Sequence, residues 1–485
     1  MRFVRQIVLL AAASGALLAM PLERAFAHGR LKASTPAAGA HVVAAPRVLH
    51  LEFTERPELA FSRVELTGPT GAAVALGTLR ADPQLPAALI APVAGTALGP
   101  GVYTVRWQMA GADGHPVRGE FAFTVVGSAG AGSAMGRADS VGAACCRAGP
   151  AAGPAPPAAH HADAPAIFNA ESPGYVLLRW LSFLALVLLL GAVTFPLVVL
   201  PIFDRFGNRN RLPVSLDIRR RARGIGTIAG LALIALAIAR LLAQSYALHG
   251  AAHVWHFELV RAMLLQTVWG WGWLLQVLGA VIALVAFRAA ARPSRMAWGL
   301  AAAGALMLST TPALSGHAVA APRLSAIAVV VDSLHVIGAG GWLGSLFLLV
   351  AAAIPAALSL EESDRGETVA DLVNAFSPTA LGFVGVLGAT GLFSAWIQLE
   401  SWSALWQSGY GRTLLVKLGV LGLMVGTGAF NWLRVRPALG DAEGTRLIRR
   451  TSSIEIVVGV IVLLVTAVLV ATATPAGMPM GGMAH

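Results

Sequence analysis

The stretch "VLLRWLSFLALVLLLGAVTFPLVVLPIF" fills residues 176–203 and carries a single charge, Arg179. A helix needs about 20 consecutive apolar residues to cross a hydrocarbon core of roughly 30 Å, and this run is long enough. Seven further apolar runs follow, near 224–247, 266–287, 296–312, 327–355, 375–397, 413–433 and 454–474. A membrane-embedded backbone must satisfy its own hydrogen bonds, which for runs of this length means helices. Residues 173–474 are therefore expected to form an all-α bundle of eight transmembrane helices. Composition agrees: 56% of the 485 residues are apolar and 12% charged, with a mean hydropathy of +0.70, outside the range of soluble domains.

Upstream, Arg2 and Arg5 precede the apolar run "IVLLAAASGALLAM" and then "AFA" at 25–27. This is the pattern of a secretory signal peptide over residues 1–27 with a small-x-small cleavage site. Cleavage after Ala27 makes His28 the first mature residue; the alternative is an uncleaved anchor, which Glu23 near the site favours. Residues 28–126 change character. Short alternating runs ("RVLHLEFTE", "FSRVELTG", "AAVALG", "AALIAPV", "GVYTVRWQMA", "VRGEFAFTVV") separated by Gly/Pro turns predict an all-β, antiparallel sandwich of about seven strands. Residues 127–172 are Gly/Ala/Pro/Ser-rich and read as a flexible linker. The two cysteines, Cys145 and Cys146, lie side by side within it; adjacent cysteines rarely bridge, so the pair is incidental or a soft metal ligand. Residues 475–485 form a Met- and His-containing tail.

The formal charge of +11 follows membrane topology. With the linker outside, the inward connections hold sixteen arginines against four on the outer side, Arg179, Arg261, Arg323 and Arg412. That asymmetry and the export signal independently place the N-terminal domain and the tail on the outer side of the membrane. The same topology sets all twelve histidines on the outer side, and imidazole is the commonest metal ligand among neutral side chains.

Three residues stand out in the sandwich: His28, Asp113 and His115. A free N-terminal histidine offers amine and imidazole together, and Asp-x-His on an extended segment points both side chains one way. Such an N/O set suits tetragonal Cu(II); an Asp-Gly turn with an exposed histidine is the plainer alternative. In the bundle, Asp332 and His335 share a helix face and His317 ends the preceding helix on the same side. Ionisable groups at this depth usually face a polar cavity or a partner, so the three are either a metal entrance or a structural hydrogen bond between helices four and five. Lys417 is expected to pair with Asp332, and Arg240 to snorkel to the interface. Weaker candidates are His249, His253 and His256, spaced for one helix face, and the soft tail donors Met478, Met480 and Met483 with His485.

"HGRLKASTPAAGAHVVAAPRVLHLEFTE" and "GVYTVRWQMAGADGHPVRGEFAFTV" resemble the CopC family of periplasmic copper-binding proteins. The resemblance implies an Ig-like or cupredoxin-like Greek-key sandwich and Cu(II) ligands at His28, Asp113 and His115. Some members add a methionine-rich Cu(I) site; Met109 is the single methionine of residues 28–126, so that site is not expected. "SGHA" (315–318), "DSLHVIGAGGWLGSL" (332–346), "YGRTLLVKLGVLGLMVGTGAFN" (410–431) and "RRTSSIEIVVGVIVLL" (449–464) resemble CopD, the membrane partner of CopC. A CopC–CopD fusion implies copper handling at the inner membrane, with import toward the cytoplasm as the family's usual proposal.

No nucleotide-binding motif is present, and the reading calls for no nucleic acid and no catalytic residues. The chain reads as a copper-homeostasis and resistance protein rather than an enzyme, its partners being the copper ion and the bilayer. Two other readings stay open: sequestration or sensing of copper without transport, and membrane electron transfer in which the histidines reduce copper or bind haem, which normally wants two axial ligands from the helical core.

Overall fold

The computed structural model describes residues 30–95, 98–111, 116–126, 172–206, 211–291, 294–315, 325–399 and 401–472. The expected signal peptide, linker and tail, with Cys145 and Cys146, lie outside these residues. The chain divides into two compact units, one of strands and one of helices.

The first unit has nine strands: β1 (Leu31–Thr35), β2 (His41–Val42), β3 (Val48–Phe53), β4 (Arg63–Thr67), β5 (Ala73–Val74), β6 (Arg80–Ala81), β7 (Ala88–Pro92), β8 (Gly101–Ala110) and β9 (Pro116–Val125). They form a four-stranded sheet ordered β1-β3-β7-β6 and a five-stranded sheet ordered β2-β9-β8-β4-β5. The chain crosses repeatedly between sheets, as a sandwich requires. Two corrections to the sequence reading follow. The strand count is nine because β2, β5 and β6 are two-residue pieces, and β1 and β2 precede the first alternating run. Nor is pairing wholly antiparallel: β2 joins β9 in parallel, His41 opposite Thr124.

Period-2 alternation builds the core. Along β8, Tyr103, Val105, Trp107 and Met109 point inward, while Thr104, Arg106 and Gln108 point out. Phe53 meets Trp107 edge-on at 5.3 Å and Tyr103 stacks on Phe123 at 5.6 Å. Gly119 sits opposite Trp107 in the β8–β9 ladder. A Cβ there would fall 2.5 Å from the indole, so only glycine lets the ring lie across β9. Met109 is fully buried, a core side chain rather than a surface ligand.

The second unit contains eight helices long and apolar enough to span a membrane: α1 (Pro173–Phe203), α2 (Arg211–His249), α3 (Val268–Ala289), α4 (Arg295–Leu314), α5 (Ala326–Leu358), α6 (Glu362–Leu399), α7 (Gly409–Ala438) and α8 (Ala442–Leu469). Several exceed the apolar runs. Arg211 and Arg219 to Arg223, assigned from sequence to a connection, belong to α2, since arginine is a good helix former and hydropathy registers only the lipid-facing part. Helix α1 packs against α2, α4, α5 and α8, and α7 pairs mainly with α8. Where α1 meets α5 the backbones touch: a Cβ on Gly191 would lie 2.2 Å from the Gly344 carbonyl carbon, and one on Gly340 2.3 Å from Leu190 Cβ. Small residues that admit such approach drive association in lipid, where burial of apolar surface does not.

On the outer face of the four-stranded sheet, His50 Nε2 lies 2.9 Å from Asp82 Oδ2. The Gln84 backbone N–H, then His50, hold the Asp82 carboxyl below its ordinary value of 3.8. A carboxylate depressed on folding contributes stability that is present above the unfolded pKa and lost as pH falls through the folded one. Thermal melts of the 28–126 fragment between about pH 5 and pH 2 should therefore show a steeper acid loss in the native sequence than in Asp82→Asn. Parallel curves would mean that Asp82 plays no part in the acid sensitivity.

Candidate metal centre

His28, Asp113 and His115 lie outside the described residues, but their flanks do not. Strands β8 and β9 stay in register up to Ala110 opposite Pro116. Strand β1 begins at Leu31, opposite Phe53, and beyond β3 the Glu58 N–H donates to the Ala110 carbonyl at 2.8 Å. The start of β1 and the Ala110 and Pro116 ends of β8 and β9 thus belong to one end of the sandwich. Glu58 stands at that end with its carboxyl pushed up by burial, which Arg56 partly opposes; the sequence reading did not single it out. The other described histidines are placed differently. His41 pairs at the far end of β9, and His50 is engaged by Asp82.

In the helical unit, Asp332 and His335 lie half-buried on α5. His335 Nδ1 is 3.0 Å from Thr390 Oγ1 of α6, and its ring rests over Gly391, where a Cβ would come within 3.5 Å of Cε1. Thr390 uses its own hydroxyl proton toward the Val386 carbonyl at 2.6 Å. Toward His335 the hydroxyl is therefore an acceptor, which places the imidazole proton on Nδ1, and a hydrogen bond with the Leu387 backbone of α6 also holds the ring. Metal-binding histidines are fixed in this way, one nitrogen donating to a protein acceptor while the other faces the metal. The sequence reading missed Thr390, which appears only as one polar residue in the apolar run of α6.

Lys417 of α7 acts electrostatically on Asp332, but among the described residues no ion pair within 4 Å joins them. Tyr410 at the start of α7 donates its hydroxyl to Gln398 Oε1 of α6, tying these helices beside the cluster. Arg240 does not snorkel. Its Nη1 donates to Gln276 of α3 at 3.2 Å and its Nη2 to Ser315 beyond α4 at 3.4 Å. His317 falls outside the described residues.

The expected single helix face of His249, His253 and His256 is also corrected. Helix α2 ends at His249, Gly250 turns the chain with φ +75°, and a 3₁₀ turn over Ala251–His253 follows. His256 caps a separate helix, Phe257–Leu265. Glycine at positive φ breaks the periodicity on which that spacing relied, although the His253 and His256 rings remain 6.4 Å apart. Met478, Met480, Met483 and His485 lie outside the described residues. Among the described residues, no three His, Cys, Asp or Glu side chains gather as a ready metal cage.

A further polar pair escaped the sequence reading. Glu455 of α8 is buried to 4% exposure and accepts from Asn431 Nδ2 of α7 at 3.1 Å. Asn431 opens a π turn, Asn431–Val435, an irregularity frequent at functional sites. The signal was available as a carboxylate inside an apolar run.

A strand sandwich followed by eight helices long and apolar enough to span a bilayer defines a multi-pass membrane protein. The comparisons make the metal specific. Residues 31–126 match the CopC domain, residues 170–324 the N-terminal domain of copper resistance protein D-like proteins, and residues 370–469 copper resistance protein D. The chain is 26% identical to the copper transport protein CutJ of Bacillus subtilis (strain 168), over 93% of this chain and 75% of CutJ. It is 36% identical to copper resistance protein C of Escherichia coli, over 21% of this chain and 83% of that one. The crystal structure of CopC from Methylosinus trichosporium OB3b matches 21% of this chain and 98% of its own at 30% identity, with a TM-score of 0.20. The chain belongs to the CopC–CopD copper resistance and transport family.

Thr390→Val keeps the shape and removes the acceptor for His335. Nitrogen NMR of histidine-labelled protein should show the Nδ1–H tautomer at His335 in the native chain and a mixture in the variant. An unchanged spectrum would show that Thr390 does not set the tautomer.

Proposed function

We propose that the sandwich, exported and freed at His28 by cleavage after Ala27, captures Cu(II) in the periplasm. The amine and imidazole of His28 with Asp113 and His115 are the ligands. The common end of the sandwich to which their flanks belong supports this reading, and the N/O donor set favours Cu(II) over Cu(I). The helical domain of residues 173–474 then receives the metal at an outer entrance made of Asp332 and His335 with His317, and passes it inward. The observation that carries this second half is the His335–Thr390 hydrogen bond, which prepares Nε2 as a ligand beside a carboxylate. Asp332 offsets the positive charge of Lys417, which otherwise repels an arriving cation. With no nucleotide motif in the chain, flux follows a gradient or a partner.

A second reading, sequestration without transport, calls for the same outer ligands. Exporting the sandwich without the helices separates the two, because tolerance to copper survives that deletion only if binding alone protects.

The capture site is tested by Cu(II) titration of the 28–126 fragment with electron paramagnetic resonance. A tetragonal site is expected, weakened at least about tenfold by one extra residue ahead of His28, by Asp113→Ala and by His115→Ala. Binding indifferent to all three changes removes the site. The entrance is tested in the full-length chain: His335→Ala should lower copper accumulation by cells while the sandwich keeps its Cu(II) affinity. Equal accumulation by the variant and native chains overturns the entrance.

A further inference from the structure

At one end of the helical unit, α1, α2 and the start of α4 enclose a groove of about 680 Å³, within the range of small-molecule sites. One wall is cationic: Arg219, Arg220 and Arg223 of α2, with Arg295 at the start of α4. The other is apolar, formed by Pro196, Leu197 and Pro201 of α1 and by Leu216, with buried Trp298 also in the lining.

The four arginines are not equivalent. Arg220 is tied to Asp217 at 2.6 Å, and the same carboxylate takes Arg221 at 2.7 Å. Arg219 lies over the Trp298 ring at 6.0 Å; the other nearby carboxylate, Asp204, acts on it and accepts from Ser215 at 2.7 Å. Among the described residues Arg223 and Arg295 have no carboxylate partner. They stand where α4 begins, with Ser294 as its N-cap accepting from the Ala297 N–H at 3.2 Å. The remaining N–H groups of that first turn, and the positive end of the helix dipole, favour an anion at the same place.

The groove therefore offers two free guanidinium groups and a helix start beside an apolar wall. Guanidinium forks match phosphate oxygens in pairs, and basic pockets between transmembrane helices hold lipid head groups. Leu197 and Leu216 are 37% and 52% exposed, so the apolar wall continues onto the outer surface of the bundle, where acyl chains lie. We propose that this groove binds an anionic phospholipid, its phosphate held by Arg223 and Arg295 at the start of α4 and its glycerol and upper acyl carbons against Leu197 and Leu216. A free phosphate shares the head-group chemistry but has no use for that wall.

The test uses the full-length chain in nanodiscs containing equal phosphatidylglycerol and phosphatidylcholine, released into native mass spectrometry. Retention of phosphatidylglycerol over phosphatidylcholine by about tenfold is expected, lost in Arg223→Gln/Arg295→Gln and kept in Arg449→Gln/Arg450→Gln. In a second arm, inorganic phosphate is added to protein in neutral detergent and the melting midpoint is read. A rise in the native chain, absent from Arg223→Gln/Arg295→Gln, together with no lipid preference makes the groove a soluble-anion site and overturns the lipid assignment. No preference and no rise overturns it as well. Should the double variant fail to fold, the comparison of the two lipids on the native chain decides by itself.

Discussion

The helical domain depends on what α5 lacks. Gly340 and Gly344 present bare backbone to α1, close enough that a single Cβ at Gly344 would fall 2.2 Å from the Val187 carbonyl oxygen. Around the same helix, Gly338 and Gly341 do the equivalent for α6, where a Cβ would meet Leu387 at 3.0 Å and the Phe383 ring at 2.5 Å. His335 continues that second stripe by one turn and reaches Thr390. One glycine-rich segment thus clamps α5 between two neighbours and sets the depth and rotation of the histidine. Lipid supplies no apolar driving force between helices, so this interlocking of backbone is what fixes them.

The sandwich is held by other physics. Its core is an aromatic layer, Phe53 on Trp107 and Tyr103 on Phe123, closed from water on both sides. Its polar pairs, Lys32–Glu52, Arg106–Glu120 and His50–Asp82, lie at least partly in solvent, where water screens them and they add little to stability. The metal ligands proposed for it precede β1 or fall between β8 and β9 in the sequence, rather than on the strands. Such a site can be remade in evolution without disturbing the core.

Charge in the helical domain is distributed by depth. Arginines cluster at the ends of spans, where α2 continues beyond its apolar run. Inside, the charged and polar groups come in small sets: Arg240 with Gln276 and Ser315, Glu455 with Asn431, and Asp332 with His335 near Lys417. Each set bridges different helices, so the polar contacts also specify which helices are neighbours. The pairing of Glu455 with Asn431 lies between α7 and α8, in the half of the domain where α6 and α7 otherwise leave most of their surface outward.

Sequence alone determined the class of each region. Alternation gave the β-domain and long apolar runs gave eight spans, because periodicity and length are local properties of the chain. Asp332 and His335 could be named for the same reason: i and i+3 is a distance along one helix. What sequence could not supply was contact between helices. Thr390 as the acceptor for His335, the partners of Arg240, and the Asn431–Glu455 pair join residues 24 to 75 positions apart, and nothing local marks them. The break at Gly250, which separates His249 from His253 and His256, depends on a positive φ that spacing does not reveal. Only tertiary packing decided these, because which faces meet follows from where bare backbone lets helices approach.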